Sequence, residues 1–168
     1  MATDKYANQG YVRLVPALNA LSFEELATFV SVFEKKAFLI NRIEYFIDAG
    51  AIRELDEETD AVTYGLSTSD VFVDAALGVP QIFDFNQIIA VLQGAGVSSH
   101  LVTMPFIKDL STMPSGGVLV PCRPIFLWMQ SSGLAAAGNI AARIFFTVVD
   151  LKAEEYWELV EATRLVGA

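Results

Sequence analysis

The stretch Ala37 to Asp48, AFLINRIEYFID, decides the fold class. Leu39, Ile43, Tyr45 and Ile47 alternate with Phe38, Ile40, Arg42, Glu44 and Phe46, and a period of two puts successive side chains on opposite faces of an extended strand. Both faces are largely apolar. One is expected to pack into a sandwich core, and the other to be covered by a neighbour or a further layer. Upstream, Ala27 to Phe33 (ATFVSVF) also alternates, and Glu34, Lys35 and Lys36 make a hairpin-like break between the two runs. Downstream, Glu54 to Asp60 reads as an acidic turn into a β-prone run, Ala61 to Ser67 (AVTYGLS).

Further out, short runs continue between Gly, Pro, Ser and Asp: Val71 to Val73, Gln81 to Phe85, Ile88 to Leu92, His100 to Ile107, Val118 to Val120, Ile125 to Gln130 and Ile140 to Val149. About eight to ten such strands, with no helix-length periodic segments alternating among them, predict an all-β sandwich or barrel. Ser22 to Leu26 (SFEEL) has the spacing of a capping box, Ser22 followed by Glu25, and predicts a single helical turn. One helix is expected at the end, over 152–166. There Tyr156, Leu159, Val160 and Thr163 recur at helical spacing, while Glu154, Glu155, Glu158 and Glu161 take other faces. Asp150 is the expected cap, Arg164 lies in the last turn and Gly167 lies where a C-cap belongs. Trp157 falls off the stripe and gives this helix a second apolar face. No repeat or linker divides the chain, so 1–168 reads as one domain with 1–20 as an N-terminal arm.

Composition narrows the function. Eleven Lys plus Arg against twenty Asp plus Glu leave the 168 residues at a net charge of -9, which argues against an electrostatic nucleic-acid binder or a polybasic membrane anchor. One Cys and one His exclude an internal disulfide and any zinc site built from several thiolates or imidazoles. The chain is nevertheless 54% hydrophobic with a mean hydropathy of +0.45. That surplus belongs either in a membrane or against copies of the same chain. From Phe85 to Ile107 no residue is formally charged, yet Asn86, Gln87, Gln93, His100 and Pro105 would desolvate badly in lipid. From Pro124 to Ala142, Gln130, Ser131, Ser132 and Gly133 interrupt the run after five apolar residues, Ile125 to Met129. Self-association is the expectation. The opening MATDKYANQG has no apolar segment or cleavage-site pattern, so synthesis in the cytosol is expected.

Candidate sites are few. His100, in SSHLVTMPF, has no second imidazole to share a metal, and reads as a structural histidine. Cys122 has Arg123 beside it but no His-Asp pair, and reads as a core or edge thiol. The acidic run holding Asp56, Glu58 and Asp60 supplies hard oxygen ligands for a cation, but Ala61 stands where an EF-hand glycine belongs and Ser67 where its bidentate Glu belongs, so a solvated loop facing water or a neighbour is expected. Ser115, Gly116 and Gly117 lack the Lys-Ser or Lys-Thr pair of a phosphate cradle and read as a β-turn. Glu44 and Asp48, on one strand face, would lie roughly 13 Å apart, too far for a carboxylate pair to share acid-base work. Aromatics such as Phe38, Tyr45, Phe46, Phe126, Phe145 and Phe146 could stack on sugars, but their strand positions read as core. No catalytic residue and no cofactor is therefore expected.

Three segments together carry a resemblance: EKKAFLINRIEYFID, SGGVLVPCRPIFLWMQSSGLAAAGNIAARIFFTVVDL and EEYWELVEATR. They hold a strand with an Arg-x-Glu centre (Arg42, Glu44), a Gly-Gly turn (Gly116, Gly117) into a strand ending in proline, a long last strand through Arg143, and an amphipathic tail helix. Over residues 30 to 165 this pattern resembles single jelly-roll capsid proteins of tailless icosahedral viruses of bacteria and archaea. The resemblance implies an eight-stranded jelly-roll β-sandwich with a short C-terminal α-helix, assembling with copies of itself into a closed shell in the virion, alone or with other capsid or vertex proteins. It brings no catalytic residues. Many small RNA-virus capsid proteins carry a basic arm, whereas the first thirteen residues here hold only Lys5 and Arg13. Direct nucleic-acid binding is therefore not expected, and genome charge would be neutralised by something else, such as an internal membrane, counterions or another protein. The interface expectation falls on Tyr156, Trp157 and Leu159. The competing expectation is a β-sandwich binding module, a spike or accessory protein recognising a glycan or a protein partner.

Overall fold

A computed structural model describes residues 8–27, 35–48, 55, 60–76, 78–89 and 106–162. These residues form nine strands and one helix: β1 (Asn8–Leu14), β2 (Leu21–Leu26), β3 (Lys36–Ile47), β4 (Ala61–Ser67), β5 (Ile82–Ile89), β6 (Phe106–Asp109), β7 (Val118–Pro121), β8 (Ile125–Ser132), β9 (Ile140–Asp150) and α1 (Ala153–Ala162). All pairings are antiparallel. One sheet runs β1-β9-β3-β6, with β7 also on β3, and the other runs β2-β8-β4-β5.

The pairings are nested. β4 pairs with β5, β3 with β6 and β7, β2 with β8, and β1 with β9. The chain is thus doubled back on itself about the β4–β5 connection, and β9·β3 and β8·β4 contacts close the doubled ribbon into two sheets. Inward side chains of both sheets meet in one core, from Val12 and Leu14 on β1 to Tyr64 and Leu66 on β4 and Ile144 and Phe146 on β9. Phe38 and Phe146 meet there edge to face, with centroids 4.9 Å apart.

The deciding strand departs from strict alternation. Its register with β9 shifts between Ile40 and Arg42, a β-bulge that reverses the parity of every later side chain. Phe38 and Ile40 face the core before the bulge, and Ile43, Tyr45 and Ile47 face it after. The two apolar faces read from the sequence are therefore one core face in two phases. The bulge also seats the β6–β7 connection: the Asn41 carbonyl accepts the Leu110 N–H at 2.8 Å, and Gly117 lies so close to the Ile40 carbonyl that any side chain there would collide with it. The expected turn at Ser115 to Gly117 is present, with Gly116 N–H donating to the Met113 carbonyl at 2.8 Å.

Several local expectations are corrected. Residues 8–14 of the supposed arm form β1, whose Val12 and Leu14 enter the core while Tyr11 and Arg13 face out. SFEEL lies in β2, because Leu26 is buried in the core and Phe23 packs on Phe72; tertiary contacts override the capping-box spacing. The runs at Gln81 to Phe85 and Ile88 to Leu92 overlap one strand, β5. Val71 to Val73 is loop. The shared edge of β3 makes the strand count nine, with β6 and β7 end to end in one position of the sheet. The expected strand at Ala27 to Phe33 and His100 lie largely or wholly outside the described residues.

Candidate functional site

Sequence reasoning placed an interface on the tail helix. Its first turn starts from Lys152, whose N–H donates to Glu155 Oε2 at 3.0 Å and whose carbonyl accepts Tyr156 N–H at 3.0 Å. That is one arm of a capping box, centred on Lys152 and not on the expected Asp150, which instead ends β9. Tyr156 and Leu159 pack down onto the outer face of the β1-β9-β3-β6 sheet, against Ala37, Leu39, Leu119, Val149 and Leu151. Trp157 alone of the three named residues points away, 56% exposed, with Glu154, Glu155, Glu158 and Glu161 exposed around it. Residues 163–168 lie outside the described set.

Asp56 and Glu58 also lie outside the described residues. Asp60 is 1% exposed, which corrects the solvated-loop expectation at that position. Its carboxylate abuts Gly133, whose φ of +81° and lack of Cβ allow the approach. Among the described residues, no group of three or more His, Cys, Asp or Glu comes together. Cys122 is buried in the core. Glu44 is buried and held by Arg42 at 2.6 Å with Arg143 at 3.7 Å, while Asp48 is exposed.

Two arrangements went unread in the sequence. The first is a polar network inside the sandwich. Tyr45 donates its hydroxyl to Asp84 Oδ2 at 2.6 Å, Asn86 donates to the same oxygen at 2.7 Å, and Lys108 Nζ reaches Asp84 Oδ1 at 2.6 Å. Burial, reinforced by the Asp84 charge, pushes the Tyr45 hydroxyl well above its ordinary range, and the same causes push Tyr64 up to about 12. Both phenols stay protonated at neutral pH, and Tyr45 is fully buried, beyond the reach of a solvent-borne substrate. The network links β3, β5 and β6 and thereby the two sheets, which is structural work.

The second is the other half of the outer face that carries α1. There Arg42, Glu44 and Phe46 of β3 lie beside Arg143 and Phe145 of β9 and Tyr11 and Arg13 of β1. Arg42 stacks over Phe145 at 5.5 Å and Arg143 over Phe46 at 5.8 Å. A groove of about 270 Å³ opens at this end, lined by Tyr11, Arg13, Phe46, Asp48, Asn139 and Ala141. Phe46, Phe145 and Phe126 are therefore outer-face residues, whereas Phe38, Tyr45 and Phe146 are core as expected.

Further apolar side chains are exposed elsewhere. Val15 and Leu18 project from the β1–β2 loop, and Val71 and Val73 from the loop that crosses the outer face of the second sheet. Phe72 between those two valines turns inward, edge to face with Phe23 at 4.8 Å and Trp128 at 6.0 Å, so Trp128 is fully buried on an outward-facing strand position. No helix among the described residues is long and apolar enough to cross a membrane. No protein-family model matches the chain, and no curated protein is significantly similar to it.

Proposed function

We propose that the chain is a jelly-roll subunit of an icosahedral viral shell, acting by assembly with copies of itself. The strand order supports the jelly-roll reading: four nested antiparallel pairs wrapped into two four-position sheets are what that topology requires, with β6 and β7 sharing one position. The observation that carries the assembly reading is the spread of exposed apolar side chains over several sides: Val15 at one loop, Val73 (87% exposed) over one sheet, and Phe46 and Trp157 on the face of the other. A shell subunit meets neighbours on several sides, and apolar side chains exposed on several sides are what such contacts would cover. The setting is the virion. With a net charge of -9 the subunit does not neutralise a genome, so an internal membrane, counterions or another protein does.

The groove at Tyr11 and Phe46 favours a second reading, a module that stacks a glycan ring on exposed aromatics. Light scattering coupled to size exclusion separates the two. Assembly predicts a mass that rises with concentration to that of a multi-subunit particle. A constant single-chain mass, together with retention on an immobilised glycan array, would replace the shell reading by the binding module.

A further inference from the structure

The open half of the outer sheet face and the exposed side of α1 are complementary. The helix presents Glu154, Glu158 and Glu161 near Trp157, with Glu155 turned back to the Lys152 N–H, and contains no Lys or Arg. The groove presents Arg13 with Tyr11, Phe46 and Asp48, and Arg143 lies next to it with its guanidinium over the Phe46 ring at 5.8 Å. Arg143 reaches Glu44 only at 3.7 Å, Arg42 already engages that carboxylate at 2.6 Å, and the Arg143 side chain is 39% exposed. The guanidinium therefore keeps donors for an outside carboxylate. Among the described residues, the acids on this side are Glu44, engaged with Arg42, Asp109 opposite Arg42, engaged with Ser111, and Asp48 at the groove.

Within one molecule the two features cannot meet. The helix sits at the Lys36–Asp150 end of the β3·β9 pair and the groove at the Ile47–Ile140 end, about 30 Å away along the strands. We infer that the groove receives α1 of a second copy of this chain, with Trp157 between the Tyr11 and Phe46 rings and the glutamates on Arg13 and Arg143. A Trp set among arginines and aromatics is the composition of an interface hot spot. The contact joins two different patches, so it is head-to-tail: it leaves one free groove and one free helix on every pair and propagates until a ring closes, and a shell needs the other exposed faces to join such rings. This deepens the shell reading and rests on it.

The test is sedimentation velocity of the full chain over a concentration series, with two variants at exposed positions. Arg13→Glu spoils the groove and keeps the helix; Trp157→Ser with Glu158→Lys spoils the helix and keeps the groove. Each alone should weaken association by roughly tenfold or more, because charge reversal at a complementary contact turns attraction into repulsion. Mixed in equal amounts they should form 1:1 heterodimers more readily than either variant pairs with itself, since only the mixed pair holds one intact groove with one intact helix. Arg13→Gln, which neutralises without reversing, should fall between parent and Arg13→Glu. A parent that assembles while both variants assemble equally well would overturn this contact and leave the shell reading standing. A parent that stays single at every concentration would overturn both.

Discussion

Trp128 occupies an outward-facing strand position yet is fully buried, and Gly65 makes that possible. A Cβ at position 65 would strike the Asp84 carbonyl and lie 2.9 Å from the Trp128 ring. Gly65→Ala should therefore prise β4 from β5 and cost about 3 kcal/mol, read as a lower denaturant midpoint with an unchanged slope. Tyr45→Phe removes a buried donor to Asp84 and should cost about 2 kcal/mol, as for a hydrogen bond to a charged group. The raised phenols set an alkaline limit. Folded Tyr64 holds its proton up to about 12 while the unfolded chain releases it near its ordinary 10.0, so stability is fully present below pH 10 and falls as pH rises towards 12. Stability measured by denaturant titration across that window should fall less steeply in Tyr64→Phe.

At the scale of elements, β4 and β9 were legible almost to the residue, because their core positions alternate without interruption. β5 was not. Asp84 and Asn86 sit on its buried side, and their partners Tyr45 and Lys108 come from strands far away in sequence, so Asn86 with Gln87 read as a break. The parity change at Asn41 was equally invisible, since a bulge leaves no mark when residues on both faces are apolar. On the tail helix, the sequence showed the stripe and the off-stripe Trp157, but not that Tyr156 and Leu159 are spent on the chain's own sheet. Deleting 152–168 therefore uncovers Ala37, Leu39, Leu119 and Val149 and should cost about 3 kcal/mol or more, seen as a fall in melting temperature. Trp157→Ser keeps the sheet contacts of Tyr156 and Leu159 and loses only the Trp157 edge-to-face contact with Tyr156, 5.8 Å between centroids, so it should lower the melting temperature far less than the deletion while weakening association.

For the whole molecule, the apolar surplus divides between a sandwich core and an exterior that keeps Val15, Val71, Val73, Phe46 and Trp157 in contact with solvent. Composition alone announced the surplus but not its distribution, which depends on which loop crosses which sheet. The groove at Tyr11 and Phe46 was hidden for the same reason: its residues come from β1, β3 and β9, which only the nested pairing brings together. The central claim is that this exterior exists to meet copies of the same chain, and electron micrographs of the purified full-length protein test it most directly. Closed particles of uniform diameter are the result the account predicts. Fields of isolated subunits at every concentration and salt condition would contradict it.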